Sequence, residues 1–103
     1  MIASLTERFL IPQTEVEACV RKTKVILDDF ISLYVMFETK GENNDSVRRA
    51  TCTLACCAQA QGAMSGTNID TATLHNMVTN RFASDVAKPL LHAAVDACAE
   101  LGN

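Results

Sequence analysis

One apolar stripe constrains this chain more than any other feature. Val16, Val20, Thr23, Leu27, Phe30, Tyr34 and Phe37 recur at steps of 4, 3, 4, 3, 4 and 3 residues. Positions so spaced share a face only on an α-helix. Cys19, Ile26 and Leu33 flank the stripe and widen it. Thr14-Glu15-Val16-Glu17 opens the run with a capping-box pattern, and Lys40-Gly41 closes it with a basic residue and a terminal glycine. The spacing predicts one helix over about 15–40, ~39 Å long at 1.5 Å per residue. FISLYVMF, 30–37, has strand-forming residue types. Inside a capped helical period it reads as helix.

A second helix is expected from Ser46 to about Ser65, with Asp45 as its N-cap and Gly66 as its stop. Its inner stripe is Val47, Ala50, Leu54, Cys57, Gln61 and Met64, and most of its remaining surface is small. A third helix follows Asp70 and offers Leu74, Met77 or Val78, and Phe82 to the core. Pro89 either kinks that helix or sits in the first turn of a fourth. Leu91, Ala94, Val95, Cys98 and Leu101 form a stripe that runs up to Gly102. The fold class is therefore all-α: three to four helices around one long helix, in a dimeric bundle. Residues 1–12 read as an N-terminal arm, with a capping box at Ser4-Leu5-Thr6-Glu7 and Pro12 at its end. Residues 13–103 read as a single helical domain, a length that supports one core.

Composition narrows the function classes. A net charge of −3 and the absence of Trp argue against a general nucleic-acid binder, which carries basic excess and stacking aromatics. No apolar run approaches the ~18–20 residues of a membrane span. The opening MIASLTERFLIP lacks the basic start of a secretory leader, and Glu7 and Arg8 interrupt it. Five cysteines, an odd count without a leader, fit free thiols in a reducing compartment. The expected location is cytoplasmic.

The stretch TCTLACCAQA, 51–60, holds Cys52, Cys56 and Cys57. Cys52 and Cys56 share a helix face at i, i+4. A zinc site needs four ligands, so Cys19, Cys98, His75 or His92 would have to converge on them. Neither CxxC nor HxxxH occurs. These cysteines read as small buried hydrophobes on the narrow side of a helix, where another helix approaches closely. A Cys-dependent metal or redox protein is one alternative. His75 and His92, the latter with Asp96 at i+4, read as ordinary helical residues. No nucleophile–base–acid set is signalled, so no catalytic, cofactor or metal site is expected and the chain is not read as an enzyme. Arg48 and Arg49 pair with Asp45, or with Glu38 and Glu42 across a loop. A small nucleic-acid-binding protein using these two arginines is the other alternative.

The predicted long helix outreaches the ~30–35 Å span of a domain this size. Its second half is apolar nearly all round, and such a helix is covered on all sides. With few helices available, a second chain supplies the cover. Phe30, Ile31, Tyr34, Val35 and Phe37 are the expected partner or dimer interface, within a homodimer. The function that follows is a non-enzymatic regulator acting through protein–protein contact.

IPQTEVE opens the first helix and CAQAQGAMSGTNI closes the second. That layout of a long helix, a polar loop and an Ala/Met-rich helix resembles the small quorum-sensing antiactivators of the TraM type over residues 11–69. The resemblance implies an all-helical, often dimeric protein that binds a LuxR-type transcription factor and blocks its DNA binding or dimerisation. Residues 70–103 add a helical segment to that pattern, and no catalytic residues carry over.

Overall fold

Among the described residues six helices follow one another: α1 (Ile2–Phe9), α2 (Gln13–Thr23), α3 (Leu27–Glu38), α4 (Asp45–Met64), α5 (Thr71–Arg81) and α6 (Ala87–Leu101). The computed structural model describes residues 1–38, 45–66, 69–81 and 87–101, and the side chains of all these except 37, 38, 81, 87, 90 and 99–101. Among the described residues there is no strand. The chain is all-α, as its periodicity predicts. Lys40-Gly41, the loop at 42–44, residues 67–68, Phe82 and Gly102 fall outside the described residues.

The single helix expected over 15–40 is two helices. Lys24 ends α2 in the left-handed conformation (φ 59°, ψ 28°), with its N–H donating to the Val20 carbonyl. The chain restarts one turn on, where the Asp29 carboxylate accepts the Ile26 N–H at 2.9 Å. Basic residues end α2 (Arg21, Lys22) and acids begin α3 (Asp28, Asp29), the arrangement each helix dipole favours. The break shifts the phase of the stripe. Ile26 and Leu27, read as core-side residues, are 57% and 59% exposed. Leu33 is buried as its place on that face implies, and Asp29 and Met36 turn inward with it.

Nor is the fold built around the 15–40 segment. Its centre is α4, which packs on α1, α2, α3 and α6, while α5 packs on α6. The sequence explains why. Ala50, Thr51, Cys52, Thr53, Ala55, Cys57, Ala58 and Gly62 are all buried along α4. Side chains this small let several helices approach one axis. Gly66 follows with φ +76°, the left-handed residue that ends such a helix most cheaply. The expected capping boxes at Ser4 and Thr14 are not used. The N-caps are Met1 and Pro12, neither with a side-chain cap bond. Asp70 does cap α5: its carboxylate accepts the Thr73 N–H at 2.8 Å. Pro89 lies in the first turn of α6, the second of its two expected placements.

α1 packs on α2 and α4, with Leu5 and the following Ile11 buried. These residues, with Val16, Cys19 and Cys57, form one apolar cluster. A second unites Leu33, Met36, Val47, Ala55 and Ala58 with Leu74, Val78, Leu91 and Val95. Phe9, Phe30 and Leu54 pack against both and join them. The result has a radius of gyration of 12.7 Å and extents of 35 × 27 × 25 Å.

Candidate functional site

Four of the five cysteines are bonded in pairs, which corrects the expectation of free thiols. Cys19 on α2 joins Cys56 on α4, and Cys52 on α4 joins Cys98 on α6, with Cα separations of 5.8 and 5.3 Å. Both distances lie in the usual disulfide range. The i, i+4 spacing that put Cys52 and Cys56 on one helix face still lets each reach a different neighbouring helix. Cross-links that close loops of 37 and 46 residues contribute about 4 kcal/mol each in the chain-entropy account. Cys57 remains a buried thiol. Burial pushes its pKa up to about 11, so it carries almost no thiolate at neutral pH and is chemically inert. No group of three or more metal-ligating side chains occurs among the described residues.

Arg48 and Arg49 are both engaged, with only the first partner as expected. Arg48 pairs with Asp45. Arg49 reaches back to α3 and grips Asp29 with two bonds, Nε to Oδ2 and Nη2 to Oδ1, each 2.9 Å. Asp29 is 1% exposed, and the guanidinium holds its pKa down at about 2. Beside this pair, Thr53 donates to the Arg49 carbonyl at 2.8 Å, and its hydroxyl lies 2.7 Å from that of Thr23. Arg49 is thus a clamp between α3 and α4.

The two histidines, expected to be unremarkable, meet between α5 and α6. Their Nδ1 atoms lie 2.7 Å apart, and the rings stack with centroids 4.9 Å apart. The Asp96 carboxylate accepts from His75 Nε2 at 2.8 Å, so Asp96 pairs with His75 across the seam rather than with His92 along its own helix. Which ring donates across the Nδ1–Nδ1 contact follows from the tautomer each histidine adopts. Thr79 completes the group, donating to the His75 carbonyl at 3.1 Å.

The interface residues predicted from sequence separate. Ile31, Tyr34 and Val35 are 52%, 66% and 49% exposed on α3. Phe30 is half-buried and packs into the core. Phe37 lies in α3, and its side chain is outside the described residues.

Sequence reasoning missed a pocket of about 490 Å³. Five helices line it: Arg8 and Phe9 from α1, Leu33 from α3, residues 51–61 of α4, Leu74, Met77 and Val78 from α5, and Leu91 and Val95 from α6. Along α4 the lining residues are Thr51, Leu54, Ala55, Ala58 and Gln61, one helical stripe about 15 Å long. Ala55 and Ala58 leave space beside the helix that larger residues would fill. The Thr51 hydroxyl is buried without a hydrogen-bond partner. The only signal in the sequence was the small residues of α4, which predict close packing and an adjoining void equally well.

In comparisons with known proteins, the chain matches no family model, no curated protein and no solved structure.

Proposed function

We propose that the protein binds a small apolar molecule in the open pocket lined by α1, α3, α4, α5 and α6, and that it acts by binding rather than by catalysis. The observation that carries this reading is the pocket itself. Its 490 Å³ falls within the ~300–1,000 Å³ of ligand sites. Its walls are aliphatic and aromatic with few polar groups, the pattern such sites share. The four paired cysteines fit a protein that folds where thiols oxidise.

The test is fluorescence of N-phenyl-1-naphthylamine titrated with the oxidised full chain. The dye should brighten on binding and be displaced by 1-dodecanol, and Ala58→Leu, which fills the pocket, should weaken both by about tenfold or more. Absence of dye enhancement with folded protein would overturn the reading.

A second reading is favoured by the exposure of Ile26, Leu27, Ile31, Tyr34 and Val35 on and beside α3. That face would dock a protein partner or a second copy of the chain, as the likeness to TraM-type antiactivators of LuxR-type factors implies. Sedimentation equilibrium of the wild type and of Ile31→Glu/Val35→Glu tests the second-copy form. A monomeric wild type would exclude it.

A further inference from the structure

The lining of the pocket is electrically lopsided. Arg8 is the one charged residue among the described lining residues, and no acid accompanies it. Among the described residues Arg8 enters no ion pair, whereas Arg48 and Arg49 both do. It is exposed and stands in the last turn of α1, next to Phe9, which packs against both core clusters. Gln61, the other exposed polar lining residue, ends the α4 stripe. Between these groups and the interior the walls are Leu33, Leu54, Ala55, Ala58, Val78 and Val95.

A neutral apolar ligand would gain nothing from the exposed Arg8 charge, which water and the C-terminal end of α1 already stabilise. A cationic ligand would be repelled by it. An anionic head at the solvent-facing rim would gain charge-assisted hydrogen bonds while staying partly hydrated. An apolar tail would gain burial in proportion to its area. We propose that the ligand is an amphiphile with one carboxylate head, held by Arg8, and an unbranched hydrocarbon tail laid along the α4 stripe. This rests on the pocket being the binding site and adds the chemical class of what it takes. The size agrees. At the ~30 Å³ that a water-sized group occupies in a liquid, the pocket has room for about 16 heavy atoms, enough for a medium-chain fatty acid. Arg8 is then the specificity-determining residue, and α4 provides the track.

The experiment is calorimetric titration of the oxidised full chain with dodecanoate, 1-dodecanol and dodecylamine, each below its micellar concentration. Wild type, Arg8→Gln and Arg8→Lys are compared after their melting temperatures are shown to agree. Wild type should bind dodecanoate about tenfold tighter than 1-dodecanol, the worth of one charge-assisted bond, and dodecylamine most weakly. Arg8→Gln should abolish the preference for dodecanoate and leave the affinity for 1-dodecanol unchanged, while Arg8→Lys should keep most of it. Raising the salt concentration should shrink the preference in wild type alone. Equal binding of dodecanoate and 1-dodecanol by wild type, or a preference that survives Arg8→Gln, overturns the carboxylate assignment while the pocket reading stands. Failure of all three probes to bind overturns both.

Discussion

The two sides of α4 are held by different means. On one side, α2 and α3 are fastened by the Cys19–Cys56 disulfide, the part-buried Asp29–Arg49 pair and the bond between Thr23 and Thr53. On the other, α6 is tied to α4 by Cys52–Cys98, and α5 is held to α6 by the partly exposed His75–His92–Asp96 group. The first side spends its polar groups on fixed internal geometry. The second spends its interior surface on the pocket, since Leu74, Met77, Val78, Leu91 and Val95 all line it. A small domain can keep a cavity when its remaining interfaces are over-determined, and the cross-links stand where that support is needed.

The largest expected effect comes from removing each cross-link in turn. Cys19→Ala/Cys56→Ala and Cys52→Ala/Cys98→Ala should each cost about 4 kcal/mol. Differential scanning calorimetry would show this as a drop of roughly 15–30 °C in Tm. Hydrogen exchange separates the two variants. Loss of Cys52–Cys98 should raise exchange in α5 and α6 well above that in α2 and α3. Equal loosening of both sides would break the comparison.

Next in size is Arg49→Ala, which removes both charge-assisted bonds to the buried Asp29 carboxylate. It should cost about 2–3 kcal/mol by urea unfolding, since the partly exposed Arg49 position lets water replace part of them. The double variant Arg49→Leu/Asp29→Leu should lose less than Arg49→Ala alone, because no charge is then left unpaired. A double variant that loses more would assign the effect to packing instead.

The same pair sets an acid limit. Asp29 holds its pKa at about 2 in the folded chain, down from the ordinary 3.8 of a free aspartate side chain. The unfolded chain therefore takes up the proton first. The stabilisation, about 2 kcal/mol, is fully present above the unfolded pKa near 4 and disappears as pH falls through 2. Asp29→Asn should flatten that part of the stability–pH curve, which a pH series of thermal melts would reveal.

The smallest effect belongs to the seam between α5 and α6. His92→Ala should cost only about 1 kcal/mol, because the groups it leaves behind reach water. Thr53→Val, at a fully buried site, should cost more. The reverse order would mean that the histidine seam, not the core of α4, holds the harder-working polar contact.

The helical class, the limits of α4 and the start of α5 after Asp70 were legible because each depends on neighbours within one or two turns. The break after Thr23 was written in the charges, with Lys22 and Lys24 followed by Asp28 and Asp29. It was overridden by an apolar period running through Ile26 and Leu27, two residues that end up in solvent. Periodicity shows which positions resemble one another and not whether the chain between them is continuous. The disulfides were illegible for another reason. Each joins helices far apart in the chain, and an odd cysteine count argued against any pairing. The pocket was the least legible, because it is the space left by five helices whose packing no local pattern states. Ile31 and Val35 could be singled out as apolar beyond the needs of one face, whereas Tyr34 was read into the core stripe and stands 66% exposed. Whether such residues turn outward depends on the helix phase that the break at Lys24 resets.

Both disulfides are anchored one turn apart on α4, and the loops they close overlap at residues 52–56. A single cut of the backbone anywhere between residues 19 and 98 therefore leaves the two pieces joined by at least one sulfur–sulfur bond. Protease nicked once in this span should yield a species that gains only the mass of one water and falls into two fragments when a reductant is added. In that sense the central helix works as a spindle, and the molecule can lose its continuity as a polypeptide without losing its unity as a particle.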